Sequence, residues 1–578
     1  MFNIFRHSRG AEDGRLVRRL PASWRFSPIT RLIQIAVFII FLVLFLWVAW
    51  PFAGNEQINP DIIPRKEFMA TESFLVIDPL VPTGSALASR TVVWSLWCVL
   101  GVFVLSLFAP GGFCIFLCPL GTAIDLFDWL IGKRIKRFRV NHTNVGRWWT
   151  GLRYYILLVA LIASLLGVGV AGFVAAVPTI ARTMTFVINP IQIGLAQGAY
   201  RIPPITTAQI VSIAIFIVIL LTSLFGSRFW CKYVCPTGAV IELFALFRVG
   251  TRKVKESCIE CGKCIRACPF DAINPDFTTR PLRCSFCQFC GGACPVGAIT
   301  FTHRWKTDGM RPDRKMTDKE ADISRRGFIV ATVVGCAGGG VLRTSSIPGV
   351  TKSRSLTRPP GAAPEGQFLS LCVRCGACVR VCPGGFLRPA SVLDQGVKGM
   401  WTPHADYTWA GCDENCNFCG QACPTGAIRP LPIEEKRCAV MGTAVVRKDI
   451  CLPHAGIGHC DICYKECEST GYQAISYVRV HAKSHEDEGF LAPEVDPVKC
   501  VGCGRCENRC HLAYVRGTGQ MKLAAIYVQP GPIEIKVGDK SILLGGEMRL
   551  PPPASYKVEM ERRREAQKST KRVIDVKW

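Results

Sequence analysis

The stretch Ser324-Arg325-Arg326-Gly327-Phe328-Ile329, with the uncharged run that follows it to Leu342, divides this chain into two halves. A Ser-Arg-Arg-x-Phe-Ile sequence that opens an apolar run is typical of a twin-arginine export signal, which is read by machinery that carries folded proteins. A basic loop before an ordinary helix is the alternative interpretation. The export interpretation suits a domain whose metal clusters are inserted before crossing. We therefore expect residues 346–578 to lie on the periplasmic side of a bacterial inner membrane.

The composition indicates several domains and a membrane location. Hydrophobic residues make up 49% of the 578 positions, and there are 31 cysteines. An odd and very large number of cysteines at regular spacing argues against a disulfide framework and for metal binding. The formal net charge is +26. Basic cytoplasmic flanks of membrane helices explain most of that charge, so we expect no nucleic-acid partner.

Four apolar runs, each of roughly 20 residues, are long enough to cross the hydrocarbon core of a membrane. An arginine-rich arm precedes the first run, and basic stretches follow the second and the fourth, which places those ends in the cytoplasm. Two segments, 51–90 and 178–206, are then loops on the outer face. The run after the twin arginines predicts a short, glycine-rich fifth span. The four predicted spans are 32–50, 91–108, 154–177 and 207–225.

The region of the spans contains an internal repeat. Residues 113–127 and 230–244 share a Cys-x3-Cys-Pro-x-Gly motif, followed in both copies by Ile and an acidic residue. The unit is thus a two-helix hairpin with a cysteine pair at its inner end, used twice. The pairs could hold an extra metal centre, act as a redox-active dithiol site, or merely pack near the membrane edge. The cysteines concerned are Cys114, Cys118, Cys231 and Cys235.

Two cysteine runs after the fourth span have the spacing of bacterial two-cluster ferredoxins. In that pattern three cysteines of one run hold one [4Fe–4S] cluster, and the fourth ligates the cluster of the other run. Paired zinc sites are the alternative, but they use separate Cys-x2-Cys pairs. The predicted sets are Cys258, Cys261, Cys264 and Cys294 for one cluster, and Cys268, Cys284, Cys287 and Cys290 for the other.

The same pattern returns twice after the twin arginines and predicts four more clusters, six in all. The last pair departs from it, because Glu468 and His511 stand where proline is usual and one gap is stretched to eight residues. The predicted sets are Cys372, Cys375, Cys378 and Cys423; Cys382, Cys412, Cys416 and Cys419; Cys451, Cys460, Cys463 and Cys510; and Cys467, Cys500, Cys503 and Cys506.

Several other chemistries have no signature in this sequence. No predicted span carries a histidine, which excludes haem b held by paired histidines within the spans, and no Cys-x-x-Cys-His motif for c-type haem occurs. No phosphate-binding or dinucleotide fingerprint stands at a strand–helix junction. The sequence therefore predicts a protein that moves single electrons.

The predicted fold class is multi-domain: an α-helical membrane bundle of four spans plus a fifth, with two α+β bacterial-ferredoxin-like [4Fe–4S] modules. The expected order is a basic arm (1–31), the transmembrane domain (32–250), a cytoplasmic two-cluster module (251–303), a linker with the twin-arginine segment (304–345), a second linker (346–366), a periplasmic four-cluster module (367–515), and a β-rich closure with a charged tail (516–578).

These motifs resemble a known pair of proteins. Residues 30–303 resemble NapH, the four-span membrane subunit of periplasmic nitrate reductase systems, in their two Cys-x3-Cys-Pro motifs and double-cluster module. Residues 322–515 resemble NapG, its twin-arginine-exported four-cluster partner. The methylamine-utilisation ferredoxins MauN and MauM share parts of the pattern. This chain differs in that both halves are fused.

The resemblance implies oxidation of membrane quinol and delivery of electrons to a periplasmic oxidoreductase or cytochrome, as a subunit of a membrane complex. Quinol oxidation also needs proton acceptors. Asp125 and Glu242, which are equivalent in the repeat, are the candidates, although both could be ordinary polar positions. Two other functions stay open: a maturation or maintenance factor that keeps a partner metalloenzyme reduced, and a structural, electron-conducting anchor. Reduction of the clusters by quinol would favour the first function over these two.

Overall fold

The computed structural model describes most of the chain between residues 22 and 544. The described ranges are 22–48, 50, 61–67, 69–70, 72–91, 95–132, 147–199, 202–312, 324–344, 356–481, 489–531, 533–537 and 540–544. The basic arm and the charged tail, for which we made predictions above, lie outside these ranges, apart from the end of the arm.

The first part of the fold, here called the helical region, runs to Val249. Its helices are α1 (Ala22–Val43), α2 (Ile62–Lys66), α3 (Ser73–Ile77), α4 (Leu80–Ser89), α5 (Leu96–Phe108), α6 (Pro119–Phe127), α7 (Arg147–Leu165), α8 (Ala171–Val174), α9 (Ala176–Gln197), α10 (Thr207–Leu221), α11 (Phe229–Tyr233) and α12 (Pro236–Phe244).

Two helical segments of the described chain are long and apolar enough to cross a membrane, Ile29–Val48 and Thr207–Leu224. They correspond to the first and fourth predicted spans. The second and third predicted spans correspond to shorter apolar helices, Leu96–Phe108 and Trp149–Leu165. The helix of the predicted fifth span does form, as α15 (Arg325–Thr344). Length and composition thus support two of the five spans, and the count of four or five stays a prediction.

The prediction of loops is wrong for both outer segments. The described part of residues 51–90 contains the short helices α2, α3 and α4. Residues 178–206 are occupied mainly by α9, which runs for 22 residues with Pro190 inside it. The segment looked like a loop because it is only moderately apolar and carries two arginines. One of these, Arg182, is fully buried. The guanidinium of Arg182 donates hydrogen bonds to the backbone oxygens of Gly172 and Arg374 instead of facing solvent.

The two copies of the repeat have the same local geometry. Cys118 donates its backbone N–H to the oxygen of Phe113 at 2.9 Å, and Cys235 donates to Trp230 at 3.0 Å. In each copy a proline at the first helical position follows the second cysteine, where proline is favoured. A Cβ atom on Gly121 would lie 3.0 Å from the oxygen of Cys114, and the equivalent distance from Gly238 to Cys231 is 3.2 Å. The glycine of the motif therefore permits the chain to turn closely over its first cysteine.

The second part of the fold, the first ferredoxin module, is a small α+β unit closed by an antiparallel strand pair. The pairing runs from Gly250↔His303 to Val254↔Ile299. Between the paired strands lie two short helices and the eight predicted cysteine ligands. The elements are β1 (Gly250–Val254), α13 (Lys263–Ala267), α14 (Phe289–Gly292) and β2 (Ile299–His303).

The last part, the second ferredoxin module, is built from short helices and three antiparallel strand pairs, β3–β4, β5–β8 and β6–β7, with a further pair β9–β10 after it. The elements are α16 (Glu365–Leu371), α17 (Ala377–Arg380), β3 (Leu387–Pro389), α18 (Val392–Gly399), β4 (Pro403–Ala405), α19 (Phe418–Gln421), α20 (Ile433–Cys438), β5 (Gly442–Val446), α21 (Ile462–Ser469), β6 (Ile475–Val480), β7 (Phe490–Val495), α22 (Arg505–Cys510), β8 (Ile526–Pro530), β9 (Ile533–Val537) and β10 (Lys540–Leu544).

Helix α15, which begins at the twin arginines, packs along α7 in a parallel direction. Its glycines permit the close approach: a Cβ atom on Gly327, Gly335 or Gly339 would meet Tyr155, Ile162 or Leu166 respectively at 2.3 to 3.0 Å. Small residues at a helix interface commonly allow two backbones to approach each other. The glycines of the export-like segment are thus part of its packing surface.

The two ferredoxin modules contact the helical region at opposite ends of α7. Near its beginning, the ring of Trp149 is centred 6.2 Å from that of Phe229 on α11. Lys232 of α11 in turn forms an ion pair with Asp271 of the first module at 2.7 Å. Beyond its end, a Cβ atom on Gly169 would lie 2.8 Å from the oxygen of Ser370 in the second module. The 19 residues of α7 span about 28 Å at about 1.5 Å per residue.

Candidate iron–sulfur centres

Each predicted cysteine set of the first module lines its own cavity. Cys258, Cys261, Cys264 and Cys294 surround a space of about 330 Å³. Cys268, Cys284, Cys287 and Cys290 surround one of about 310 Å³. The fourth cysteine of each run therefore points into the cavity of the other run. This crossing is what the two-cluster spacing predicts, and the ligand assignment remains our proposal.

The second module repeats this arrangement. Three of its predicted sets line cavities of 370 to 390 Å³. In the remaining set, burial and the neighbouring thiols raise the pKa of Cys416. The cavity sets are Cys467, Cys500, Cys503 and Cys506; Cys451, Cys460, Cys463 and Cys510; and Cys372, Cys375, Cys378 and Cys423. The remaining set is Cys382, Cys412, Cys416 and Cys419.

Backbone N–H groups point at the sulfur atoms of the crossing cysteines. Ala272 donates to Cys268 Sγ at 3.3 Å, and Ala298 donates to Cys294 Sγ at 3.3 Å. The second module has the same feature, with Ala525 donating to Cys510 Sγ at 3.3 Å. Hydrogen bonds to the sulfurs are among the features that set the reduction potential of an iron–sulfur cluster.

The thiols in these cavities are deeply buried. Burial raises the pKa of Cys290 to about 12 and that of Cys268 to about 11, and it raises the pKa of Cys503 in the second module to about 12. A bound metal deprotonates a coordinating thiol outright. The cavities therefore suit thiolates whose charge is neutralised by iron.

Arg252 lies between the two cavities of the first module. It lines both of them, and it is almost fully buried on strand β1. Its Nη1 atom donates to the oxygen of Phe277 at 3.0 Å, whereas its Nε and Nη2 atoms have no hydrogen-bond acceptor among the described residues. Although burial disfavours its charge, the Cys290 thiol helps to raise the pKa of Arg252, so its charged N–H groups suit the anionic sulfur atoms of the two iron–sulfur centres.

Among the described residues, no three His, Cys, Asp or Glu side chains are close enough to hold a single metal ion. This applies to the ferredoxin sets and to the two Cys-x3-Cys pairs alike. Four thiolates at the corners of an iron–sulfur cube lie farther apart than four thiolates around one zinc ion.

The structure brings the two Cys-x3-Cys pairs together at the centre of the helical region. Cys118 and Cys235 lie in one buried hydrophobic cluster, and Cys114 and Cys231 pack against that cluster. Cys118 and Cys235 belong to the same continuous buried core as Cys375 of the second module. The four cysteines of the pairs therefore form one group, which borders on the second module through this core.

The pairs also border on the first module. Ile115, the residue after Cys114, is 1% exposed and packs in one cluster with Phe270 and Cys287 of that module. The cysteine pairs thus lie between the ligand set of Cys287 and that of Cys375.

The two candidate proton acceptors are both held by buried arginines. Asp125 accepts hydrogen bonds from Arg228 Nε at 2.9 Å, from Arg228 Nη2 at 2.8 Å and from Arg31 Nη1 at 2.8 Å. Both of its oxygens are engaged, which argues against the prediction that Asp125 accepts protons. Glu242 accepts from Tyr154 Oη and Arg153 Nη2, both at 2.5 Å and both on the same oxygen Oε2. The other carboxylate oxygen of Glu242, Oε1, is not bonded to Tyr154 or Arg153, so only Glu242 keeps an oxygen that is not engaged by these arginine and tyrosine partners.

Buried arginines also join the second module to the helical region. Arg374 donates to the oxygen of Gly169, and Arg182 donates to the oxygens of Gly172 and Arg374 at 3.0 and 3.3 Å. On the other side of Arg182, Trp401 donates from its ring nitrogen to the oxygen of Ala208 at 2.7 Å. Because these hydrogen-bond donors are buried and directional, we expect the second module to be held rigidly against the helical region.

Comparison with protein families supports the iron–sulfur interpretation. Residues 91–137 and residues 208–255, the two copies of the hairpin, each match a family described as a 4Fe-4S binding domain. Residues 252–274 match a second family with that description, and residues 371–427 match a 4Fe-4S dicluster domain.

Curated relatives decide the family. The methylamine utilization ferredoxin-type protein MauM of Methylobacillus flagellatus is 39% identical over 206 residues, which cover 35% of this chain and 81% of that protein. The ferredoxin-type protein NapG of Escherichia coli is 35% identical over 185 residues, which cover 32% of this chain and 78% of NapG. This chain belongs to the NapG/MauM family of ferredoxin-type proteins. It is therefore an iron–sulfur electron-transfer protein that works with redox partners. No solved structure matches it.

Sequence reasoning missed the arginines that surround the centres. Arg182, Arg252, Arg283 and Arg374 are all buried, whereas arginines in a sequence ordinarily indicate a surface. The clearest signal available was local: Arg374 stands inside a ferredoxin cysteine run, and Arg283 directly precedes Cys284.

Proposed function

We propose that this chain is a membrane-bound quinol dehydrogenase module that passes electrons from membrane quinol through six [4Fe–4S] clusters to a periplasmic redox partner. The observation that carries the proposal is the contact of the two ferredoxin modules with opposite ends of α7, with the Cys-x3-Cys pairs between them. The 19 residues of α7 rise about 28 Å, although its apolar part, Trp149–Leu165, is shorter than the roughly 20 residues of a full span.

The direction of α15 supports a periplasmic second module. It begins at Arg325 and runs parallel to α7, which begins at Arg147 after a basic stretch. Basic residues favour the cytoplasmic side. With both helix beginnings on that side, the first module lies in the cytoplasm and residues 356–531 lie in the periplasm.

The Cys-x3-Cys pairs are proposed to hold a seventh centre, which the chain needs if electrons are to pass between the modules. Their grouping and the family description of the hairpins as a 4Fe-4S binding domain support this assignment. The cluster supplies one-electron transfer when bound. The residues of this chain hold its four corners, exclude water and surround it with the buried core.

The test is reduction of the purified holoprotein by a quinol under anaerobic conditions, followed by the absorbance of the clusters. We expect bleaching by menaquinol or ubiquinol at a rate that depends on quinol concentration. A holoprotein that dithionite reduces, but that neither quinol reduces, would contradict the proposal. That result would leave a maturation factor or an electron-conducting anchor as the remaining functions.

A further inference from the structure

Two neighbouring buried side chains offer hydrogen bonds that no described residue accepts. Arg283 is 5% exposed, and its Nε, Nη1 and Nη2 atoms all lack an acceptor. Tyr233 is fully buried, and its hydroxyl group also lacks a partner. A guanidinium group carries five N–H donors, and a buried donor without an acceptor is costly. Such donors require acceptor oxygens, which either water or a bound ligand supplies.

The two donors belong to one polar site between the first module and the helical region. The Cζ atom of Arg283 lies 5.5 Å from the centre of the Tyr233 ring. Arg153 and Glu242 form an ion pair at 2.5 Å. Burial and the charge of Arg153 lower the pKa of Arg283, whereas Glu242 raises it, so two arginines share the neighbourhood of one carboxylate. The excess of positive charge and of donors favours a ligand that carries electron-rich oxygens.

The orphan guanidinium is not explained by a neighbouring cluster. Although Arg283 directly precedes Cys284 in the chain, it does not line the cavity of that cysteine's set, whereas Arg252 does. Tyr233 lies between the two cysteines of the second Cys-x3-Cys pair. The site is thus next to two candidate electron acceptors.

A row of packed aromatic rings extends from the surface to this site. The ring of Phe229 is centred 4.8 Å from that of Tyr233, and the ring of Phe225 is centred 5.9 Å from that of Phe229. Phe225 is 51% exposed and directly follows the apolar helix Thr207–Leu224. In a membrane, this ring would face lipid, from which an apolar tail could enter.

We propose that Arg283 and Tyr233 bind the oxygens of a quinone headgroup at this site, with the tail leaving past Phe229 and Phe225. This inference rests on the proposed function and names the binding site for it. A lipid-soluble quinone fits because it combines an apolar tail with two oxygens that can accept the orphan hydrogen bonds.

The site also accounts for the protons of the reaction. Oxidation of one quinol releases two electrons and two protons. The electrons reduce two oxidised clusters by one electron each. One proton passes to the free oxygen of Glu242, beside Tyr154, and the other passes to water at the edge of the Glu242 side chain, which is 13% exposed.

The test compares Tyr233→Phe and Arg283→Gln with the matched control Arg266→Gln, whose side chain is exposed in the same module. Each variant is purified as the full-length holoprotein. Iron content and full reduction by dithionite verify that the clusters are intact. The rate of cluster reduction is then measured against the concentration of a short-chain quinol, which gives KM and kcat separately.

We expect each site variant to raise KM for the quinol by about tenfold, the effect of losing one charge-assisted or buried hydrogen bond. Arg266→Gln should keep the KM of the wild type. Because Tyr233→Phe removes only a hydroxyl group, it remains informative if Arg283→Gln fails to fold. An unchanged KM in intact variants would overturn the site and show that the orphan donors bind only water. Failure of the wild type to react with quinol would instead overturn the proposed function itself.

Discussion

The guanidinium of Arg182 lies 3.7 Å from the centre of the Trp401 ring, directly across the boundary between the helical region and the second ferredoxin module. Arg182 also donates a hydrogen bond from Nε to the hydroxyl oxygen of Ser212 at 3.1 Å. A cation over the face of a tryptophan ring is a favourable contact, and more so when it is buried. The contact between Arg182 and Trp401 therefore helps to fix the orientation of the second module over α9.

Trp401→Ala should loosen this interface. Truncation of a buried tryptophan costs about 3 to 5 kcal/mol, and here it also removes the stacking partner of Arg182 and the hydrogen bond to Ala208. We expect faster amide hydrogen exchange around Ala208 with the clusters retained. Trp305→Ala is the matched control, because Trp305 is 73% exposed. Equal exchange in the two variants would contradict a fixed interface.

Gly172→Ala should separate the second ferredoxin module from the helical region more completely than Trp401→Ala does. The added Cβ atom would lie 2.2 Å from the oxygen of Val373, which is backbone and cannot turn away. We expect the second module to become sensitive to limited proteolysis. The comparison variant is Gly338→Ala on α15, where nothing lies within 4 Å of the new atom. It should be neutral or stabilising by about 0.5 to 1 kcal/mol, since alanine is the better helix former.

Cys268→Ala and Cys294→Ala test the crossing of ligands between runs. Each variant should lose about four iron atoms relative to the wild type, the content of one [4Fe–4S] cluster. The paramagnetic resonance of the reduced protein should show that different clusters are lost, because the two cysteines line different cavities. Cys336→Ala, at an exposed position outside every run, should keep all the iron. Loss of the same cluster in both variants would refute the assignment.

Arg252→Gln should lower the reduction potentials of both clusters of the first module. The arginine lines both cavities, and burial disfavours its charge while the thiols of Cys290 and Cys284 favour it and raise its pKa. Removing a cation favours the oxidised, less negative form of each cluster. For a one-electron cluster, a shift of about 60 mV corresponds to a tenfold change in the reduction equilibrium. We expect redox titration to show a more negative midpoint potential for both clusters. Arg252→Lys should restore part of it, and a shift confined to one cluster would contradict the position between them.

The cysteine spacing predicted which thiols come together, because a tight three-cysteine loop followed by a crossing residue leaves the chain few ways to fold. The sets around Cys258 and Cys268 are found around separate cavities for that reason. The arrangement of the helical region was harder to predict. Arg182 and its neighbours indicated an exposed loop, yet they form α9 beneath the second module. A partner surface that is far away in sequence leaves no local pattern.

The carboxylates of the repeat show the same limit. Asp125 and Glu242 are equivalent in sequence, and symmetry alone predicts one role for both. Their partners differ, since Arg228 and Arg31 engage both oxygens of Asp125, whereas Arg153 and Tyr154 share one oxygen of Glu242. Those partners come from outside the repeated unit or from non-equivalent positions around it, so only the folded structure distinguishes the two carboxylates.

Electron transfer across a sealed bilayer tests the central claim most directly. The holoprotein is reconstituted into liposomes that contain trapped ferricyanide, and dithionite is added outside, with protein-free liposomes as the control. If the iron–sulfur modules at the two ends of α7 are connected through the cysteine pairs, the trapped ferricyanide is reduced, and Cys118→Ala slows this reduction. Ferricyanide that stays oxidised while the externally accessible clusters become reduced would contradict the account.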